Sequence, residues 1–259
     1  MRVATWNVNG IRARESQVRD WIARDRPDAV CLQEIKARPD QIPEMLFEAE
    51  GYWCYWHGAG GYSGVALHVR RELCGERPCF SHPEFDHETR IVAADIGNVT
   101  VASVYVPNGG KDYDAKLRFL EALVGYARQC REAGRQLLLC GDINVALTDR
   151  DVHPKQRKAG VIGQREDERA LFRSLLAEGL VDLGRSLDPD NENLFTWWAP
   201  WRNLRQRNIG WRIDYMLASE PLARRATACV VRADVGTSDH APVVADFGVA
   251  DSPAGAHFR

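Results

Sequence analysis

The sequence lacks any apolar run long enough to span a membrane, and its opening residues, Met1-Arg2-Val3-Ala4-Thr5-Trp6, lack the apolar stretch of a secretory leader. It has no CxxC pair. The seven cysteines are odd in number, and Cys31, Cys130, Cys140 and Cys229 sit in apolar surroundings, so buried reduced thiols are expected rather than disulfides or a zinc site. No interior segment reads as a linker rich in Pro, Gly or Ser, and no tandem repeat stands out. Positive charge is not in excess either. A net charge of -2 weighs against a simple nucleic-acid-binding module, although an enzyme can grip phosphate with a local patch and place its acids on metal. These absences imply a soluble, cytoplasmic protein without membrane contact; a monomer is expected. A single domain is expected over residues 1–249, with a frayed tail at 250–259.

What is present is enough for a large core: 259 residues, 45% of them hydrophobic. Short apolar runs alternate with helical patterns. Residues 3–8, 28–33, 62–69, 91–96, 99–106, 137–140, 180–183, 211–218, 228–231 and 243–247 read as strands. Helices are expected at 11–24, with Val18, Trp21 and Ile22 on one face, at 113–131, with Leu117, Leu120, Leu123 and Val124 inward, and at 166–178. The order implies an α/β fold, two packed sheets with helices outside.

Polar residues interrupt the ends of these buried strands. Asn7 and Asn9 end the first and Glu34 ends the second. Asp142 and Asn144 follow Leu137-Leu138-Leu139-Cys140, Asp214 lies within 211–218, and Asp239 and His240 precede the last strand. An unpaired buried carboxylate costs several kcal/mol, so each needs a partner or a task. Singly, each has a structural explanation. Asp142 could cap a turn, Glu34 could pair with Lys36 or Arg38, Asp214 could pair with Arg212, and His240 could be a satisfied surface group. Their conjunction at strand ends, where α/β sheets form ligand crevices, points to a hard divalent cation and a phosphate.

The motifs Trp6-Asn7-Val8-Asn9-Gly10-Ile11-Arg12, Leu32-Gln33-Glu34-Ile35-Lys36, Tyr62-Ser63-Gly64-Val65-Ala66, Val104-Tyr105-Val106-Pro107-Asn108-Gly109, Gly141-Asp142-Ile143-Asn144, Trp211-Arg212-Ile213-Asp214 and Ser238-Asp239-His240-Ala241-Pro242 resemble, in this order, those of the exonuclease III family of apurinic/apyrimidinic endonucleases, within the endonuclease/exonuclease/phosphatase superfamily. The resemblance runs from about Arg2 to Phe247. It implies a four-layered α/β sandwich, with two mixed β-sheets flanked by helices. It further implies hydrolysis of the DNA backbone 5′ to abasic sites, 3′-to-5′ exonuclease and 3′-end-cleaning activity, and Mg2+ as cofactor with Mn2+ as a substitute. The partner would be double-stranded DNA carrying abasic sites or 3′ ends.

Carried over residue by residue, Glu34 resembles the principal metal ligand, with Asn7 and Asp239 beside it. Asp142 resembles the group that orients or deprotonates the attacking water, and Asn144 the donor that binds phosphate or holds Asp142. Some descriptions of the family give Asp142 and Asn144 to a second metal. His240, also a possible ligand, resembles a phosphate-contacting donor oriented by Asp214, and Tyr105 a phosphate contact or proton donor. The acid-free segment 196–212, rich in tryptophan and arginine, suggests a DNA-binding wall, with Trp197 and Trp211 against an extruded sugar. Arg12, Lys36, Asn108, Lys111, Lys116 and Arg157 are further expected DNA contacts. Two other readings remain at this level: a superfamily phosphatase acting on a non-DNA phosphoester, and a DNA-binding protein with a decayed site.

Overall fold

The computed structural model describes residues 1–42 and 51–248, so the tail expected beyond residue 249 lies outside the described residues. Two six-stranded mixed sheets face each other. The first contains β1 (Arg2–Asn7), β2 (Ala29–Gln33), β3 (Tyr52–His57), β4 (Val65–Arg70), β11 (Ala226–Val231) and β12 (Val243–Phe247), in the order β11-β12-β1-β2-β4-β3. The second contains β5 (Phe80–Ser81), β6 (Ile91–Ile96), β7 (Val99–Tyr105), β8 (Gln136–Asp142), β9 (Leu180–Asp182) and β10 (Asp214–Ser219), in the order β5-β6-β7-β8-β10-β9.

Each sheet is built around one parallel pair joined by a crossover helix. Helix α1 (Glu15–Asp25) connects β1 to β2, and α2 (Tyr113–Glu132) connects β7 to β8. The other pairings are antiparallel. Helix α3 (Glu166–Ala177) lies beside α2, while the short helices α4 (Leu183–Leu187) and α5 (Glu220–Ala223) flank β9 and β10.

Strand parity explains the layering. On β1, Ala4 and Trp6 pack outward with Val18, Trp21 and Ile22 of α1, while Val3 points into the gap between the sheets. On β8, Leu137 and Leu139 pack against Phe119, Leu120, Leu123 and Phe172 of the outer helices, while Leu138 and Cys140 face Val3, Cys31 and Leu67 across the gap. Because side chains alternate along a strand, Asn7, Gln33, Tyr105, Asp142 and Asp214 also point into the gap, at one end of it. The apolar middle layer turns polar toward that end. Thr5 donates to Gln33, and Gln33 donates across the gap to Ser103, which donates to the Leu32 carbonyl; all are buried and satisfied.

Several expectations are corrected by packing. The 62–69 strand starts only at Val65, because Ser63 and Gly64 adopt positive φ. A Cβ at Gly64 would meet the Ile35 side chain at 2.6 Å, in a backbone conformation few other residues tolerate. The 211–218 strand starts at Asp214, and Trp211 instead forms isolated bridges with Val152 and Trp197. Helix α2 buries Leu120, Leu123 and Val124 as expected, but its inner face also takes in Lys116 and Phe119, and Leu117 is only half-buried. Strands β3 and β5 had no counterpart in the sequence reading. In β3 the half-buried face carries Trp53 and Tyr55, which masks the apolar–polar alternation, and β5 is two residues long.

Candidate active site

The polar end of the gap collects the carboxyl ends of β1, β2, β7 and β8 with the starting ends of β10 and β12, since β10 and β12 run antiparallel to their neighbours β8 and β1. A cavity of about 400 Å³ opens there, lined among others by Glu34, Tyr105, Asp142, Asn144, Asp239 and His240. The chain turns sharply as it leaves these strands. Asn9, Glu34, Lys36 and Asn144 all have φ between 45° and 55°, a region that side-chain-bearing residues seldom occupy and that concentrates at functional sites.

Asn7 ties the two sheets together. Its Nδ2 donates to Glu34 Oε1 at 2.9 Å and to Asp142 Oδ2 at 2.9 Å, while its Oδ1 accepts the Asn9 backbone N–H. In this orientation Asn7 clamps two carboxylates. Serving as a metal ligand through its oxygen would require the amide to turn over. Glu34 Oε2 lies 2.7 Å from Lys36 Nζ, so the ion pair allowed by the sequence does form. Burial alone would raise the Glu34 pKa, but hydrogen bonds from Asn7 and Lys36 outweigh it and hold it below the usual value. Asp239 stands one step back, its oxygens accepting from Asn9 Nδ2 at 2.8 Å and Trp197 Nε1 at 3.0 Å.

Asp142 is buried and held from two sides. Its Oδ1 accepts the Asn144 backbone N–H, and its Oδ2 accepts from Asn7 and from Asn144 Nδ2 at 3.2 Å. Burial, then the charge of Asp214 and more weakly that of Glu34, push its pKa up to about 8, against the opposing pull of His240. Asn144 also donates to the Val106 carbonyl. His240 Nδ1 donates to Asp214 Oδ2 at 2.9 Å, which leaves Nε2 directed toward Asp142 Oδ2 at 4.0 Å. Burial alone would lower the imidazole pKa, but the charge and hydrogen bond of Asp214 raise it to about 10. His240 is therefore an imidazolium donor in this state, its ring at the cavity wall.

Glu34, Asp142 and His240 each bring a ligand atom within 4.8 Å of the others. The donor set fits a hard divalent cation. Glu34 and Asp142 converge with Asp214 nearby, burial and then the Asp214 charge raise the Asp142 pKa, and Asp214 Oδ1 is buried without a hydrogen-bond partner among the described residues.

Other expected residues divide by exposure. Trp197 and Trp211 wall the cavity edge-to-face, with centroids 5.6 Å apart. Gly163 allows Trp211 to approach, since a Cβ there would lie 2.7 Å from the indole. Tyr105 lines the floor, its phenol kept protonated by burial and by Glu34 and Asp142. Lys36 and Asn108 line the cavity, and Arg12 and Lys111 are exposed nearby in sequence. Arg157 is exposed, but its Nε donates to the Asp149 and Val152 carbonyls.

Lys116 is not available to DNA. It is fully buried, ion-paired with Glu168, and donates to the Asn144 carbonyl at 2.7 Å. The tryptophan- and arginine-rich segment is likewise partly structural. Trp198 is buried under Arg205, whose guanidinium is spent on the Ala233, Val235 and Ser238 carbonyls, and Arg212 is buried between Asp151 and Asp182. Trp201, at 60% exposure, remains on the surface with Arg202 and Arg207.

Two supporting residues had no role in the sequence reading. Thr196 donates to Asp214 Oδ2 at 2.6 Å and so orients the carboxylate that holds His240. Arg90 is buried over the Tyr105 ring, 4.9 Å from its centroid, and its carbonyl accepts the Tyr105 N–H. A charged residue directly before the apolar β6 run was the available signal for Arg90.

Comparison with known proteins agrees with this geometry. The profile of the Endonuclease/Exonuclease/phosphatase family matches residues 4–240. An exodeoxyribonuclease of Bacillus subtilis is 35% identical over 250 residues, covering 94% of this chain and 98% of that protein. The structure of an AP endonuclease from Archaeoglobus fulgidus superposes with a TM-score of 0.85 at 33% identity, covering 96% of this chain and 100% of that one. A 3′ phosphatase from Neisseria, solved bound to a product DNA hairpin, gives a TM-score of 0.87 at 31% identity, with the same coverage of both chains.

Proposed function

This chain belongs to the endonuclease/exonuclease/phosphatase family, and we propose that it is a DNA-repair hydrolase that cleaves the backbone 5′ to abasic sites, with 3′-to-5′ exonuclease and 3′-end-cleaning activity. The observation that carries this reading is the convergence of Glu34, Asp142 and the Asp214–His240 pair in a cavity walled by Trp197 and Trp211. The names of its relatives, an exodeoxyribonuclease, an AP endonuclease and a 3′ phosphatase, support the same reaction class.

The residues divide the work as follows. Asp142 takes the proton of the attacking water, held in place by Asn7 and Asn144. His240 Nε2 and the Tyr105 hydroxyl donate to phosphate oxygens, where charge builds in the transition state. Glu34 and Asp142 would hold a divalent cation, which we take to be Mg2+; when bound it neutralises phosphate charge and stabilises the leaving 3′ oxygen. Trp197 and Trp211 offer apolar faces to the deoxyribose, and extruding an abasic sugar costs less because no base must be unstacked.

The test compares duplexes with an internal abasic site, a recessed 3′ end or a 3′ phosphate, each with Mg2+. Incision at the internal abasic site is expected. End trimming or phosphate removal without internal incision would overturn the endonuclease assignment. A failure to cleave any of the three would return the chain to a phosphatase of non-DNA esters or to an inactive binding protein.

A further inference from the structure

A second group of metal-binding side chains lies away from the cavity, where the edges of the two sheets meet. His57 ends β3, the edge strand of the first sheet, and His82 directly follows β5, the edge strand of the second. Asp86 lies in the loop before β6. Ligand atoms of these residues fall within 4.8 Å of one another, and none of the residues lines the catalytic cavity. The edges are already in contact, since Tyr55 of β3 stacks on Phe80 of β5 with centroids 5.0 Å apart.

His82 and Asp86 are each oriented from behind. His82 Nδ1 lies 3.2 Å from the Ile91 carbonyl, and a carbonyl only accepts, so Nδ1 carries the proton and Nε2 the lone pair. This backing arrangement fixes the tautomer of ligating histidines. The Tyr55 hydroxyl, 2.8 Å from Nε2, then donates to it. Asp86 is held in the same manner: Oδ1 accepts the Arg90 backbone N–H at 2.7 Å, and Oδ2 lies 2.6 Å from His57 Nε2. The Asp86 side chain is fully buried and meets His57 within a pair of imidazoles stacked 3.8 Å apart.

We infer that His57, His82 and Asp86 form a transition-metal site of the zinc class that clips the edge strands of the two sheets together. Two imidazole nitrogens and one carboxylate oxygen suit zinc rather than magnesium, so this site differs in preference from the oxygen-rich catalytic cavity. Tetrahedral zinc with bonds of about 2.0 Å needs ligand atoms about 3.3 Å apart. Small side-chain rotations, with Tyr55 released from His82, would meet that spacing, and water would complete the shell. The ion would bridge two separately hydrogen-bonded sheets, so its effect is on stability rather than on the reacting phosphate.

The test uses protein stripped by chelator and titrated calorimetrically with zinc chloride in a Glu34→Gln background, which disables the catalytic cavity. One zinc-binding event should persist there and raise the thermal midpoint, whereas magnesium chloride should give neither effect. Adding His82→Gln should weaken the event by at least about a hundredfold, the upper end of what losing even an outer partner of a ligating histidine costs, and abolish the thermal gain. Cobalt in place of zinc should show no thiolate charge-transfer band, which separates this site from the exposed Cys79. The His82→Gln single variant should keep its magnesium-dependent DNA cleavage, which serves as the folding control. If it does not fold, His57→Gln is read in the same way. A zinc event of equal strength with and without His82, or one that shows a sulfur band, would overturn the inference.

Discussion

Asp214 accepts the Nδ1–H of His240 at 2.9 Å, and that contact fixes both the charge of the imidazole and the direction of its other nitrogen. Asp214 is itself held by Thr196, whose hydroxyl also accepts the Asp214 backbone N–H. Asp214→Asn should leave the ring in place but withdraw the charge that raises its pKa to about 10. In 15N NMR, His240 should be imidazolium at neutral pH in the wild type and largely neutral in the variant. Turnover should fall by about a hundredfold or more, within the range for a positioned proton donor. An unchanged ring charge would contradict the assigned role of Asp214.

Asn7 should matter more to magnesium use than to folding. Its Nδ2 bridges Glu34 and Asp142, and hydrogen bonds to charged groups are worth about 1.5–3 kcal/mol each. Asn7→Ala would leave the two carboxylates to repel. The expected result is a higher magnesium requirement and turnover down by about 10- to 100-fold, read from initial rates across a magnesium series. A variant with the wild-type magnesium profile would show that the clamp is dispensable.

Lys116 separates a structural charge from a DNA contact. Removing it leaves Glu168 buried and unpaired, at a cost of about 3–5 kcal/mol. Urea denaturation of Lys116→Met should show a loss of that order. If Lys116 instead contacted DNA, the variant would keep its stability and show a shallower salt dependence of binding.

Acid stability should depend on Asp151. Burial would raise its pKa, but Arg212 and Arg185, together with Thr148, hold it below its ordinary value. A depressed carboxylate contributes stability above its unfolded pKa, here about 3.8, and loses it as pH falls through the lower folded value. Asp151→Asn should therefore be less stable than wild type at pH 7, and the gap should narrow below about pH 3.8. Denaturation midpoints taken across that interval check this, and a gap that stays constant with pH would contradict it.

The site was legible in the sequence where an apolar strand ended in a polar group. Glu34, Asp142, Asp214 and His240 each follow or precede a buried run, and strand parity then obliges several of them to share one gap. What was hidden depended on contacts between distant segments. Arg212 stands next to Ile213 and Asp214, yet its partners are Asp151 and Asp182, because β10 begins two residues after it. Lys116 looked solvated because the edge of a helix's inner face cannot be read when polar and apolar residues adjoin at 116 and 117. The His57–His82–Asp86 group has no sequence pattern, since its members meet only when the two sheet edges do.

The central claim, metal-assisted hydrolysis with Asp142 as proton acceptor, is tested most directly on a labelled duplex carrying one internal abasic site. Wild type and Asp142→Asn are each assayed with magnesium and with chelator. The account predicts a single cut 5′ to the abasic site by the wild type with magnesium, none with chelator, and a rate reduced by about 10²- to 10⁴-fold in Asp142→Asn. Cleavage that persists in chelator, or an Asp142→Asn enzyme that works at the wild-type rate, would contradict it.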